Sequence, residues 1–218
     1  MSRPLHLATY LMAYDTRAQA LQDRTRAGFL LRAAALAELA HRGDLVEDGR
    51  GRVLVAPGAG PAGDPVLDAV LAEVAARRRG WKSWIKRGRE ETLDAVEQRL
   101  AVLGVLTVRD RDPYGPVVPR RPVAMPDPRE ALDRQLRVAQ LVRGDEPVGS
   151  VAFADAVLAA LAAHGQVRLV LSRQEQRAHA GRIAALTARL GERAPGLAKA
   201  VDGLGTTMVA AQGGMGGG

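Results

Sequence analysis

The chain has 218 residues, of which 47 % are hydrophobic but only 3 % aromatic, and it contains no cysteine. That length is enough for one large domain or two small ones with a real core, and the missing cysteines exclude disulfides and thiolate metal sites. The net charge of +7 points to a polyanionic partner, but of 31 basic residues only Lys82, Lys86 and Lys199 are lysine. Abundant Arg, Ala and Gly reflect GC-rich coding, so the distribution of charge says more than its total. With so few aromatics the core must come from Ala, Leu and Val, which suits packed helices better than sheets.

The opening Met1-Ser2-Arg3-Pro4-Leu5-His6 lacks the basic and apolar regions of a secretory leader. No run approaches the ~18 apolar residues that would span a bilayer. The expectation is a soluble protein, or one that sits on a membrane without crossing it. The first strong helix is predicted over residues 22–42, stopping at Gly43. Residues 45–55 read as two short strands around a glycine-containing turn. After a Gly/Pro loop, Asp64 is placed to cap a helix with Pro65 at its first position, reaching about Ala76. A basic stretch follows, then a helix over residues 90–103 and a strand over 105–110.

Pro113, Pro116, Pro119 and Pro122 recur at a period of three, followed by Pro126 and Pro128. They predict an extended or edge-strand ribbon and exclude a helix. Helices are predicted again over residues 128–142, 148–164, 172–190 and 196–211, with Ser172 and Glu175 at capping-box spacing. The Gly-rich residues 212–218 are expected to be a disordered tail. Gly43, Gly104 and Gly165 lie an even 61 residues apart. Each is expected to end a helix before an apolar segment, a reused structural device and not a solenoid.

No active site is legible. The histidines (His6, His41, His164, His179) lack metal-ligand spacing, and neither a phosphate loop nor a nucleophile elbow is present. A catalytic role, a cofactor and a metal are therefore not expected. The basic stretch is more specific: residues 77–89 hold seven positive charges, no acid and both tryptophans. Cations beside amphipathic indoles suit a lipid headgroup interface. Trp84 and Ile85 are expected in the core, leaving Trp81 as the exposed candidate beside Lys82, Lys86, Arg87 and Arg89. Arg32 interrupts an apolar helix and needs an internal acid, such as Glu38 or Asp68, or a bound anion.

Glu38-Leu39-Ala40-His41-Arg42-Gly43-Asp44-Leu45 resembles a signature of the Golgi phosphoprotein 3 family. Pro61-Ala62-Gly63-Asp64-Pro65-Val66-Leu67-Asp68, then Trp84-Ile85, then Arg99-Leu100-Ala101-Val102-Leu103-Gly104-Val105-Leu106 follow in that family's order. The resemblance covers about residues 5–210. It implies a mainly α, helical-bundle-like single domain over residues 1–211, with short β-hairpins following helix ends. It also implies a non-enzymatic adaptor on the cytoplasmic face of a membrane, reading phosphatidylinositol 4-phosphate-like headgroups and engaging membrane-protein clients. Arg32 falls on one of the family's headgroup arginines. The family's tryptophan position falls near Asp23, and its later arginines fall near Glu90 and Leu93, which are departures.

The second hairpin, which the resemblance links to membrane contact and homo-oligomer formation, maps to about residues 105–126. Tyr114, Val117 and Val118, with Arg120 and Arg121, are its candidate contacts. Anionic membrane lipids are thus the expected partner. Two alternatives stand beside this: a winged-helix-like DNA-binding protein and an adaptor that binds only proteins. Nucleic acid is not expected, because the helix before the first hairpin offers Ala37, Glu38, Ala40 and His41, which are poor base readers.

Overall fold

A computed structural model describes residues 3–108 and 123–213 of the chain. The candidate contacts Tyr114, Val117, Val118, Arg120 and Arg121 lie outside those residues, as do residues 214–218. Eleven α-helices and seven short strands make up the described fold, which is mainly α.

The centre is built from helices that are apolar on every side. Helix α1 (Leu5–Ala13) buries every residue from Leu5 to Met12. Helix α2 (Arg24–Arg42) buries an unbroken run from Ala27 to Ala37. Helix α7 (Phe153–His164) buries Asp155 to Ala163. Such helices carry no polar face, and that identifies them as interior elements. It also explains why α1 was not anticipated: a nine-residue apolar run has no period that separates helix from buried strand.

Around this centre lie α3 (Pro65–Ala76), α5 (Arg89–Val102), α6 (Arg129–Arg143) and α9 (Ala180–Gly191), together with α10 (Pro195–Asp202). The caps expected at Asp64 and Ser172 are present, and Asp23 supplies another. The Asp23 carboxylate accepts from Arg26 N–H at the start of α2, and the Asp64 carboxylate accepts from the amides of Val66 and Leu67 at the start of α3. Both arms of the Ser172–Glu175 capping box are made at the start of α8 (Arg173–Ala178).

Three predicted helices are interrupted. Residues 148–164 form a 3-10 turn, Val148–Ser150, before α7 begins. Arg189 from α9 donates to the carbonyls of Val148, Gly149 and Val151, so three acceptors at the break find a partner. Residues 172–190 divide into α8 and α9 at His179, and the last helix divides into α10 and α11 (Leu204–Gly213) at Gly203.

All sheets are small and antiparallel. Strands β1 (Tyr14–Asp15) and β2 (Ala20–Leu21) form an unforeseen hairpin between α1 and α2. Strands β3 (Leu45–Glu47) and β4 (Arg52–Val55) form the expected hairpin, with Val46 opposite Leu54. A third strand, β5 (Arg79–Gly80), adds to the free side of β4 and gives the order β3-β4-β5. Strand β6 (Thr107–Val108) pairs with β7 (Val123–Ala124).

The three evenly spaced glycines do not behave alike. Gly43 and Gly104 adopt left-handed conformations, φ 82° and 71°, and end their helices as expected. Gly165 has φ −78°, and the left-handed residue is Gln166, φ 53°. The cap has slipped by one residue, with Val167 N–H donating to the Ala162 carbonyl. Gly165 is required for space, because a Cβ there would lie 2.3 Å from Leu30 Cδ2.

Candidate functional site

The basic stretch folds into β5, a six-residue helix α4 (Trp81–Lys86) and the entry to α5. The sequence Trp-Lys-Ser-Trp-Ile-Lys is two-faced: Trp81, Trp84 and Ile85 are buried, while Lys82 and Lys86 are exposed. A helix this short has little stability of its own, so its burial against α2 and α10 holds it in place.

Trp84 is in the core as expected. Trp81, expected at the surface, is also buried, at 2 % exposure. Its indole N–H donates to Glu47 Oε2 over 2.9 Å, and the same oxygen accepts the Gly196 N–H at the start of α10, also at 2.9 Å. A Cβ on residue 196 would sit 2.6 Å from Trp81 Cδ1, so only glycine lets α10 close over this ring. A polar partner inside the fold thus removes the reason for an indole to seek an interface.

Arg32 is fully buried. Its acid is neither Glu38, which accepts from Leu5 N–H, nor Asp68, which accepts from Ala62 N–H. It is Glu73 of α3, whose Oε2 is 2.6 Å from Arg32 Nη2. Arg32 Nε also donates to the Trp84 carbonyl at 3.2 Å, and Nη1 donates to Thr92 Oγ1 at 3.2 Å. Desolvation pulls the guanidinium below its ordinary pKa, opposed by Glu73. The loop into α5 lies directly over this pair. Gly88, φ 66°, has no room for a side chain: a Cβ would come within 2.9 Å of Glu73 Oε2 and 3.1 Å of Arg32 Cζ. Arg32 therefore ties α2, α3, α4 and α5 together and offers no surface to a headgroup.

Arg89 is intermediate. Its guanidinium lies 5.0 Å from the Phe29 ring centroid and donates to the Lys86 carbonyl, so packing occupies much of it. Lys82, Lys86 and Arg87 are exposed, as are Arg77 and Arg78 just before them. Among the described residues none of these five side chains has an ion-pair or hydrogen-bonding partner. Many arginines elsewhere are paired, among them Arg24 with Glu97, Arg137 with Asp155 and Arg143 with Glu175, so what sets the stretch apart is that its free cations are neighbours in sequence. Lys86, Arg87 and Arg89 border a shallow depression of about 540 Å³ together with Arg79, Ser83 and the acids Glu90 and Glu91.

The family's remaining headgroup positions do not supply cations here. Asp23 is the N-cap of α2, Glu90 is exposed in the first turn of α5, and Leu93 is buried. One polar cluster went unrecognised in the sequence: buried His6 sits 3.3 Å from Asp64 Oδ1, with Arg99 Nε 3.8 Å from the other oxygen. Burial alone would raise the Asp64 carboxyl, but His6 and the Val66 and Leu67 amides hold it below the ordinary carboxylate range. This cluster joins α1 to the starts of α3 and the end of α5. The Asp64 cap was legible, whereas no local signal marks His6 as its partner.

The model of the Golgi phosphoprotein 3 (GPP34) family matches residues 5–204, nearly the whole chain. The chain belongs to the Golgi phosphoprotein 3 family. Comparison with curated proteins gives no match. Membership agrees with the mainly α fold and with the order of the helix-end motifs. Among the described residues, no helix is long and apolar enough to cross a membrane.

Proposed function

We propose that this member of the Golgi phosphoprotein 3 family is a non-catalytic, peripheral membrane protein that docks on anionic phospholipid headgroups and serves as an adaptor there. The observation that carries this reading is the α4 face. Lys82 and Lys86 project from a helix whose other side is fixed in the core, with Arg87 at its end and Arg77 and Arg78 before it, and none of the five side chains forms an ion pair among the described residues. Each basic residue near an anionic leaflet contributes about 1 kcal/mol. Five of them support reversible, salt-sensitive association and not a permanent attachment.

In this reading Arg32 and Trp81 act as supports of the face and not as ligands. A selective grip on phosphatidylinositol 4-phosphate has no arginine fork to rest on at the family's positions, so recognition is by charge density. Vesicle flotation tests it. Anionic vesicles should recover the protein and neutral phosphatidylcholine vesicles should not, and Lys82→Glu, Lys86→Glu and Arg87→Glu combined should cut recovery by more than about tenfold. Equal recovery on neutral and anionic vesicles sinks the reading. Tight duplex-DNA binding without lipid preference would favour the DNA-binding alternative.

A further inference from the structure

A groove of about 670 Å³ runs between α4 and α10, bordered by Trp81, Lys82, Lys86, Gly196, Lys199 and Ala200. All three lysines of the chain are on its rim, two from α4 and one from a helix more than a hundred residues later. In a chain this rich in arginine, no arginine lines it. Lysines 82 and 86 stand one helical turn apart, about 6 Å along the axis, and Lys199 faces them from the other wall. The cations are therefore spread along a rim and not gathered around one point. Arginine's planar fork is the usual solution for one phosphate; separated ammonium groups suit separated single charges.

The floor differs in character from the rim. It is made of the Trp81 ring edge, Ala200 and the glycines Gly51, Gly80 and Gly196, and it is rigid because Glu47 pins both Trp81 and Gly196. Glu47 also faces the groove, but its Oε2 already accepts two N–H groups, and three lysines outweigh its charge. At one end the groove meets Gly51 and Gly80, where β4 and β5 pair. An apolar floor between cationic rims on two walls matches an extended chain whose side chains alternate, small apolar ones down and acidic ones up.

We infer that this groove is a docking site for an acidic, extended peptide segment of a partner protein, with Lys199 reading it from the α10 side. The site overlaps the proposed membrane face at Lys82 and Lys86, but Lys199 lies outside residues 77–89, so the two readings can fail separately.

Fluorescence anisotropy with the full chain tests it, using a short fluorescein-labelled peptide of alternating glutamate and valine. The control is the same peptide with glutamine for every glutamate. The glutamate peptide should bind at least about tenfold more tightly than the glutamine peptide, and Lys199→Gln should weaken it about fivefold. Recovery of that variant on vesicles of phosphatidylcholine with phosphatidylglycerol should change less than about twofold. A variant with Arg77→Glu, Arg78→Glu and Arg87→Glu should show the reverse, losing vesicles and keeping the peptide. Equal affinity for the two peptides, or peptide binding untouched by Lys199→Gln, overturns the inference. So does a Lys199→Gln loss that appears equally on vesicles, which would make the groove a lipid site. Absence of any vesicle preference counts only against the membrane reading, since the peptide measurement contains no lipid.

Discussion

A guanidinium without solvent access must find its partners inside the fold, and Arg32 finds a carboxylate, a hydroxyl and a carbonyl from three different helices. Removing one member of such a pair leaves a buried charge uncompensated, which typically costs 3–5 kcal/mol. The Glu73 side chain is 37 % exposed, so water screens part of the loss. Glu73→Ala is expected to destabilise the protein by about 2 kcal/mol, read as a lower denaturation midpoint in urea at unchanged slope. The sequence marked Arg32 as needing an acid but could not say which. Asp68 and Glu73 share α3, five residues apart and so on different faces, and only the packing of α3 on α2 selects between them. Trp81 failed for a similar reason: its partners, Glu47 and Gly196, are distant in sequence.

His164 adds a pH dependence at the same scale. Thr187 Oγ1 donates to the Ile183 carbonyl and so accepts from His164 Nε2–H at 3.0 Å, which puts the proton of the neutral ring on Nε2. Burial depresses the His164 pKa, with Asp202 opposing the shift. A base depressed in the folded state binds fewer protons there than in the unfolded chain, so its stabilising effect is complete above about pH 6.5 and is lost as pH falls below it. The stability lost between pH 7.5 and pH 5.5 should be smaller in His164→Gln than in the parent, measured by chemical denaturation at both values. An identical loss would show that other groups set the acid limb.

At the scale of elements, the longer helices bounded by caps and end-glycines were legible, and the briefest elements were not. Helices α2, α3, α5 and α6 lie within two residues of expectation because caps and end-glycines bound them. The short α1 and α4 were missed, as were β1, β2 and β5, each too brief to carry a period. The interruption before α7 is held by tertiary hydrogen bonds from Arg189, which local sequence does not announce. Gly165 illustrates the difference between a motif and its cause. Gly165→Ala tolerates the backbone angle but must displace Leu30 in the packed core. It is expected to cost roughly 1–3 kcal/mol, seen as a lower melting temperature. Gly43→Ala keeps all its space and loses only the left-handed conformation, a cost of about 1 kcal/mol. If Gly165→Ala melts no lower than the parent, the spatial account of Gly165 is wrong.

At the scale of the whole molecule, the charge is divided by use. Arginines around most of the surface and interior are engaged with acids and carbonyls, whereas the residues on and before α4 project without partners among those described. The seven charges of the basic stretch, legible as one block, resolve into exposed cations and a packed Arg89. The aromatic component expected at the interface is instead the mounting on which the cations stand. That is why the family could be recognised from motif order while the site could not: helix-end motifs are local, but accessibility depends on what folds back over them.

The Glu47 carboxylate joins Gly196 to a residue 149 positions earlier. During synthesis, therefore, Trp81 stays without its cover until α10 has left the ribosome. A chain cut short before that point would carry the lysines of α4 on an unseated helix and an open indole beside them. A late element thus acts as the latch of the β3–β4 hairpin, and the docking of α10 is recorded in the environment of a single tryptophan.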